Sequence, residues 1–328
     1  MSNYTLLDHL DLRSKEYLAV QWIYTNRCNF SCHYCDPEVH NSSTPELALS
    51  TVLPFCGRLI KYAESIGKKV YLELTGGEVT FLPDFGEIIQ SVRDAGGHLG
   101  INSNGTPGLS WWKIYAPQLD SLMLSYHHGF SELKHFEELV PYLSTLPQLK
   151  LHLSIMMEPE HFSSCLEVAE KLKKLTSGSL TLQRLVPELS GQNLNFSYTD
   201  QQLSQMTSFN KSFGSKQWLQ KFKDKIGPKK PMPRGGLILS HKNGKNSKIT
   251  SSDLINRDLN HFKGWTCQAG VENLVIDRFG KIYRGWCLEG GLLGDINDPD
   301  FNFGLSPITC QKDSCCCGFD LLSKKVSP

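Results

Sequence analysis

The stretch YLAVQWIYTNRCNFSCHYCDPE, residues 17–38, decides how the rest of the chain is read. Its first part is β-branched and aromatic and predicts a strand over 18–25. Directly after it, Cys28, Cys32 and Cys35 follow the spacing C-x3-C-x2-C. Three thiolates this close suit three irons of a cubane cluster and leave a fourth iron without a protein ligand, whereas ordinary cluster proteins supply four cysteines. A zinc site completed by His33 or His40 has much the same local signature. Position separates the two readings. A motif just past the first strand of an α/β domain lies at the sheet edge where such folds bind ligands.

Working outward, strands and helices alternate. Residues 43–65 read as a helix, with Ser43 or Thr44 as cap, Pro45 in the first turn and Glu46 near the third position. KVYLELT (69–75) reads as a strand and 83–96 as a helix stopped by glycine. HLGINSN (98–104) and DSLMLSYH (120–127) read as strands. A helix over 132–146 is interrupted or kinked by Pro141. A strand over 150–157, a helix over 163–176 and a strand over 179–186 complete the run. Six strands with helices between them predict an α/β fold, a partial (β/α)6 barrel of parallel strands with its ligands at the C-terminal strand ends. Cys56 and Cys165 fall on helices and read as small core residues.

The whole chain has 328 residues, with 34 basic against 33 acidic, so nothing in the total charge marks a nucleic-acid partner. The first residues, MSNYTLLDHLDLRSKEYL, have charges throughout and no apolar core, unlike a secretory signal. No apolar run approaches the length that crosses a bilayer. A soluble, cytoplasmic protein without membrane contact is expected. In that compartment eleven cysteines argue for metal or redox chemistry over disulfides.

The expected organisation is an N-terminal extension over 1–17, the barrel over 18–190, a linker or insertion over 191–264 and a cysteine-rich C-terminal α+β extension over 265–328. Between Lys211 and Lys248 the insertion has eleven Lys or Arg and one acidic residue, Asp224. It reads as a solvated loop or as a surface for an acidic substrate or partner. After Trp265, ENLVID, RFGK and IYRGW predict a hairpin between Cys267 and Cys287. Cys310, Cys315, Cys316 and Cys317 follow.

The cysteine motif, with Tyr34 before its last cysteine, and LTGGE at 74–78 together resemble the radical S-adenosylmethionine (SAM) superfamily over roughly residues 18–190. The resemblance implies a [4Fe-4S] cluster on Cys28, Cys32 and Cys35 whose open iron chelates the amino and carboxylate groups of SAM. It implies that Gly76 and Gly77 admit close backbone approach and that Glu78 helps receive the methionyl ammonium. By position it places Ser103, Asn104, Ser125 and Arg184 near SAM, and His127 or His128 near the substrate. The activity implied is reductive cleavage of SAM to methionine and a 5′-deoxyadenosyl radical that abstracts a substrate hydrogen. The electron would come from a reductant such as flavodoxin or ferredoxin.

The tail resembles the auxiliary-cluster regions called SPASM and, in the shorter form, twitch. That implies one auxiliary [4Fe-4S] cluster on Cys267, Cys287, Cys310 and one or two of Cys315 and Cys317. If 315–317 is extended, Cys316 points away from its neighbours. Zinc accepts four thiolates equally well. The gap from Gly280 to Cys287 is longer than in those regions, and the ending departs from them.

The resemblance leaves the substrate open. A small molecule such as a sugar or nucleotide-linked metabolite is the first expectation, favoured by the basic stretch. A peptide or protein is the alternative, set back by there being only about seventeen residues before the first strand, too few for a leader-binding domain. A non-enzymatic iron–sulfur scaffold would leave GGE unexplained.

Overall fold

The computed structural model describes residues 4–11, 15–185, 196–210 and 236–328. Strand β1 (Tyr4–His9) belongs to a second sheet. The partial barrel follows in chain order: β2 (Tyr17–Thr25), β3 (Lys69–Gly76), β4 (His98–Ser103), β5 (Ser121–Tyr126), β6 (Lys150–Met157) and β7 (Ser179–Arg184) lie side by side and parallel. Alternation within each strand sorts its residues by face. Leu18, Val20, Trp22 and Tyr24 of β2, Val70, Leu72 and Leu74 of β3, and Leu122, Leu124 and Tyr126 of β5 are buried in one core under the helices. Gln21, Glu73, Asn102, Ser125, Ser154 and Gln183 fall on the other face beside Ile23, Tyr71, Met123 and Met156, so the inside of the barrel is mixed, with a polar group from each strand.

The helices are α1 (Leu49–Ser65), α2 (Phe85–Asp94), α3 (Leu109–Tyr115), α4 (Leu133–Ser144), α5 (Phe162–Leu175), α6 (helical over 200–210) and α7 (Ser251–Asn256). Cys56 on α1 and Cys165 on α5 are buried in the core.

Three local differences from the sequence reading have physical causes. Helix α1 starts at Leu49, behind an N-cap, Ala48, that makes no side-chain bond. The hydroxyls expected to cap it, Ser43 and Thr44, instead accept from Asn26 Nδ2 at 3.2 and 3.1 Å. Helix α4 runs continuously through Pro141, because Phe136, Leu139, Val140 and Leu143 are buried along one face and packing outweighs the lost backbone bond. Helix α3 is an addition to the expected order.

The rest of the chain builds onto the barrel. The expected hairpin forms from β11 (Asn273–Ile276) and β12 (Lys281–Tyr283), turning at Gly280 with φ +78°. It is not separate from the barrel. Strand β11 pairs in parallel with β2, Leu274 beside Val20 and Ile276 beside Trp22, and β13 (Gly294–Asp295) extends the same sheet beyond β12. The result is a nine-stranded mixed sheet.

The second sheet has the order β14–β10–β15–β1–β8–β9, with β8 (Leu237–His241), β9 (Asn246–Ile249), β10 (Thr266–Cys267), β14 (Ile308–Thr309) and β15 (Lys325–Val326). It gathers segments read from sequence as extension, linker and tail. Leu7, Leu237, Leu239, Ile249, Leu254, Phe262, Trp265, Cys315 and Leu321 form its own core. Most of the basic stretch, 211–235, lies outside the described residues. Lys242, Lys245 and Lys248 stand exposed on the β8–β9 hairpin. Among the described residues no helix is long and apolar enough to cross a membrane.

Candidate active site

The cysteine loop leaves β2 at Thr25 and is fastened at both ends. Asn26, 1% exposed, donates from Nδ2 to Asn41 Oδ1 at 2.8 Å as well as to Ser43 and Thr44, and its carbonyl accepts from Ser42 N. The start of the loop is thereby tied to its end. The glycine motif then closes against it. Gly77 N donates to Thr25 O at 2.9 Å and Glu78 N to Arg27 O at 2.6 Å. A Cβ on Gly76, whose φ is +134°, would lie 2.1 Å from Thr25 O. One on Gly77 would lie 2.0 Å from Arg27 O and 2.8 Å from Val39 O. Both glycines are thus required by close approach to the backbone of the cysteine loop itself.

Glu78 is fully buried. Its Oε1 accepts from Thr80 N, Thr80 Oγ1 and Ser103 Oγ, and its Oε2 from Asn104 N. Burial raises its pKa, and these hydrogen bonds oppose the rise. Glu78 thus braces β3 against the end of β4. Ser103 and Asn104 serve the same frame. Asn104 Nδ2 donates to Asn29 Oδ1 at 2.8 Å, and Asn29 Nδ2 to Thr106 Oγ1 at 2.9 Å, clamping the loop between Cys28 and Cys32.

Within the loop, Cys32 and Cys35 share a hydrogen bond, which pushes the Cys32 thiol up and Cys35 down. Burial pushes Cys28 up to about 11. A cavity of about 250 Å³ opens beside Cys28, lined by Arg27, Asn29, Ser42 and Phe81. Tyr34, 3% exposed, shares a 2.8 Å hydrogen bond with His127 Nδ1, which also lies 3.5 Å from Cys32 Sγ. Removal of water from the His127 ring lowers its pKa to about 4, so it is neutral at physiological pH. Ser125 lies half-buried on β5. Arg184 is exposed at the end of β7, over the ring of Tyr198 at 5.5 Å. Tyr198 ties the ends of β6 and β7 by donating to Met157 O and accepting from Leu185 N. His128 stacks on His161 at 4.3 Å.

Among the described residues no three His, Cys, Asp or Glu side chains converge as one bound ion needs. A cluster spreads its thiolates over several irons. Three soft donors on a loop clamped at both ends, next to a cavity, fit such a group.

The C-terminal cysteines gather from four segments. Cys267 lies on β10, and Cys310 follows β14. Cys287 follows the hairpin, its N–H donating to Asp320 Oδ2 at 2.8 Å. Cys315 is held by a reciprocal pair with Asn260, whose Nδ2 donates to Cys315 O and whose carbonyl accepts from Cys315 N. Burial pushes Cys287 up to about 12, with Asp320, Cys267 and Cys310 adding to the rise. Burial also raises Cys315, and Cys287 and Cys267 add to it. Cys316 is exposed and Cys317 half-buried. From this region Trp286 Nε1 donates to Gln21 Oε1 at 2.6 Å, and Gln21 Nε2 to Glu73 Oε1 at 2.6 Å. The segment that carries Cys287 and the barrel interior are thereby linked by hydrogen bonds.

Sequence reasoning missed Asn26, Asn29, Asp320 and Trp286. Asn26, between the strand and the first cysteine, had a positional signal; the others act through contacts distant in sequence.

The model of the Radical SAM superfamily matches residues 22–185, half of the chain. The chain belongs to the radical SAM superfamily. Curated relatives match over shorter spans. Molybdenum cofactor biosynthesis protein 1 of Bos taurus is 35% identical over 98 residues, 28% of this chain and 14% of that protein. GTP 3′,8-cyclase of Haemophilus influenzae (strain PittEE) is 25% identical over 141 residues, 40% of this chain and 41% of that one. The chain thus spans less than half the length of these relatives. Two solved structures share the fold over more than the barrel. Streptococcus suis SuiB bound to precursor peptide SuiA aligns with a TM-score of 0.53 and 13% identity, covering 84% of this chain and 61% of that one. Native anSMEcpe with bound AdoMet aligns with a TM-score of 0.55 and 15% identity, covering 86% and 78%. The span matched by the superfamily model takes in the loop with Cys28, Cys32 and Cys35 and the Gly76–Gly77–Glu78 motif.

Proposed function

We propose that this radical SAM enzyme modifies a peptide or protein, and that Cys267, Cys287, Cys310 and Cys315 hold an auxiliary [4Fe-4S] cluster. The supporting observation is the fold shared with SuiB over 84% of the chain, in a structure that holds a precursor peptide. This replaces the small-molecule substrate expected from the basic stretch, most of which lies outside the described residues.

In this reading Cys28, Cys32 and Cys35 ligate three irons, and the bound cluster and SAM together supply the hydrogen-abstracting radical. Gly76, Gly77 and Asn26 hold the loop that presents those thiolates. Glu78, Ser103 and Asn104 brace the loop from β4. Tyr34 and His127 pack and hydrogen-bond around Cys32. Ser125 and Arg184, at the C-terminal ends of β5 and β7, face the bound SAM or the substrate. The polar groups on the inner face of the barrel offer amide and hydroxyl partners to a peptide backbone. Cys267, Cys287, Cys310 and Cys315 would hold a cluster able to accept an electron from the substrate, and a flavodoxin or ferredoxin would be the external reductant. The Trp286–Gln21–Glu73 chain fixes the geometry between the two centres.

The test is an anaerobic reaction with reductant, SAM and the peptides encoded beside this gene, followed by mass spectrometry of both products. Formation of 5′-deoxyadenosine together with a peptide altered in mass or stereochemistry is the expected result. Conversion of a nucleoside triphosphate, with every peptide unchanged, overturns the peptide reading. That outcome favours the second reading, a nucleotide substrate, which rests on the likeness to GTP 3′,8-cyclase over 141 residues.

A further inference from the structure

Lys325 is 1% exposed and is among the largest fully buried side chains of the molecule. Lysine is almost never fully buried without a partner, because stripping water from an ammonium is costly. The hydrogen bonds of its Nζ go to two backbone carbonyls, Asp320 O at 2.7 Å and Ser323 O at 3.0 Å. Among the described residues no carboxylate lies within ion-pair distance of it. The nearby Asp320 carboxylate is itself buried and accepts from Trp286 N and Cys287 N. Two dipoles therefore face the ammonium without an ionic partner at contact distance.

The surroundings point to a counter-charge beyond the nearby Asp320 carboxylate. Lys325 stands directly across the antiparallel β10–β15 pair from Cys267. Such opposed residues have Cβ atoms about 5 Å apart on one face of the sheet. On its other side it is paired with Leu7, which is buried in the second-sheet core together with Cys315 and Phe262. Its ammonium lies 5.3 Å from the Phe262 ring. Asp320, whose backbone carbonyl accepts from the Lys325 ammonium, accepts from Cys287 N through its carboxylate. One buried cation thus stands across the sheet from Cys267, beside the core that holds Cys315, and is joined through Asp320 to Cys287.

We propose that Lys325 is the internal counter-ion of the auxiliary cluster, a positioning residue that sets the potential at which that cluster accepts an electron. The inference rests on the auxiliary-cluster reading given above. A cluster ligated by four thiolates is anionic, and it gains negative charge on reduction. A cation held in a medium of low polarity stabilises the reduced form more than the oxidised form, so it raises the reduction potential. Burial strengthens the effect by excluding water and salt. The position thus suits an electron acceptor, whose potential must be high enough to oxidise a substrate radical.

The test is a potentiometric titration of the full-length, cluster-loaded protein followed by electron paramagnetic resonance. The auxiliary signal is recognised as the one that survives in the C28A/C32A/C35A variant. In K325M, a similar length without charge, the auxiliary midpoint is expected to move to more negative potential. K325R is expected to return it toward the wild-type value, and the signal of the SAM-binding cluster should not move. An unchanged auxiliary midpoint in K325M overturns the inference. If K325M loses the auxiliary iron, K325R decides: retained iron and a wild-type midpoint support the counter-ion role, and loss in both overturns it. Absence of any second signal in the wild type instead sinks the auxiliary-cluster reading, and this inference with it.

Discussion

The two cysteine regions are built on opposite plans. Cys28, Cys32 and Cys35 belong to one loop, and neighbouring backbone holds that loop in shape: Gly77 against Arg27, and Asn26 against 41–44. Cys267, Cys287, Cys310 and Cys315 come from four segments, brought together by short strands and by Asp320, Asn260 and Lys325. In the proposed reading the first region contributes three thiols to its cluster and leaves an iron for SAM. In the same reading the second contributes four and closes its cluster to substrate. A local loop can be braced by the sheet it emerges from. A site assembled from distant segments needs buried polar groups to fix it, and those groups influence what it holds.

This contrast can be broken at several points, and the largest effect is expected in the first loop. Cys32→Ala should reduce 5′-deoxyadenosine to background in an anaerobic assay with reductant and SAM. Persistent cleavage would contradict the cluster assignment. Cys287→Ala should remove the auxiliary iron, roughly half of the total if both sites hold cubanes, while SAM cleavage without substrate continues. Unchanged iron per chain, measured by plasma emission, would sink the second site. Gly77→Ala forces a Cβ against Arg27 O and should cost at least about 3 kcal/mol in denaturant unfolding, with loss of the first cluster. Asn26→Ala leaves the 41–44 end of the loop without its tether and should cost about 2 kcal/mol. A midpoint equal to wild type would show that the loop holds itself. Cys316→Ala is the smallest. Its thiol is exposed and lies 3.3 Å from Ser314 Oγ, so iron content and thermal midpoint should match the wild type.

How much of this was legible depended on the distance over which each feature acts. The six barrel strands and the cysteine loop come from short runs with their own periodicity and spacing, and they form where the sequence predicts them. Helix α3 escaped because LSWWKIY is short and begins after Gly108, with no capping side chain to announce it. The start of α1 was misplaced because Ser43 and Thr44 look like caps, while Asn26, seventeen and eighteen residues earlier, competes for their hydroxyls. The hairpin of β11 and β12 has a turn signal at Gly280, but its parallel pairing with β2 has none, since parallel partners need no local turn. The second sheet was the least legible. Strands β10, β14 and β15 are two residues each, too short for alternation to show. Glu78 had a motif signal, but its bonds to Thr80, Ser103 and Asn104 had none, since they depend on how β4 meets the end of β3.

The seat of β11 against β2 has a consequence for biosynthesis. Trp22 is made early, and its partner across the sheet, Ile276, leaves the ribosome only after the whole barrel has been delivered. Until then the outer edge of β2, the strand that leads into the cysteine loop, has open backbone donors and acceptors. An unpaired edge invites pairing with other chains. The nascent barrel therefore passes through a stage in which its cluster loop is already complete while the neighbouring wall is missing. Under the proposed assignment, iron delivered during that stage would meet the three thiols before the C-terminal segments have closed beside β2.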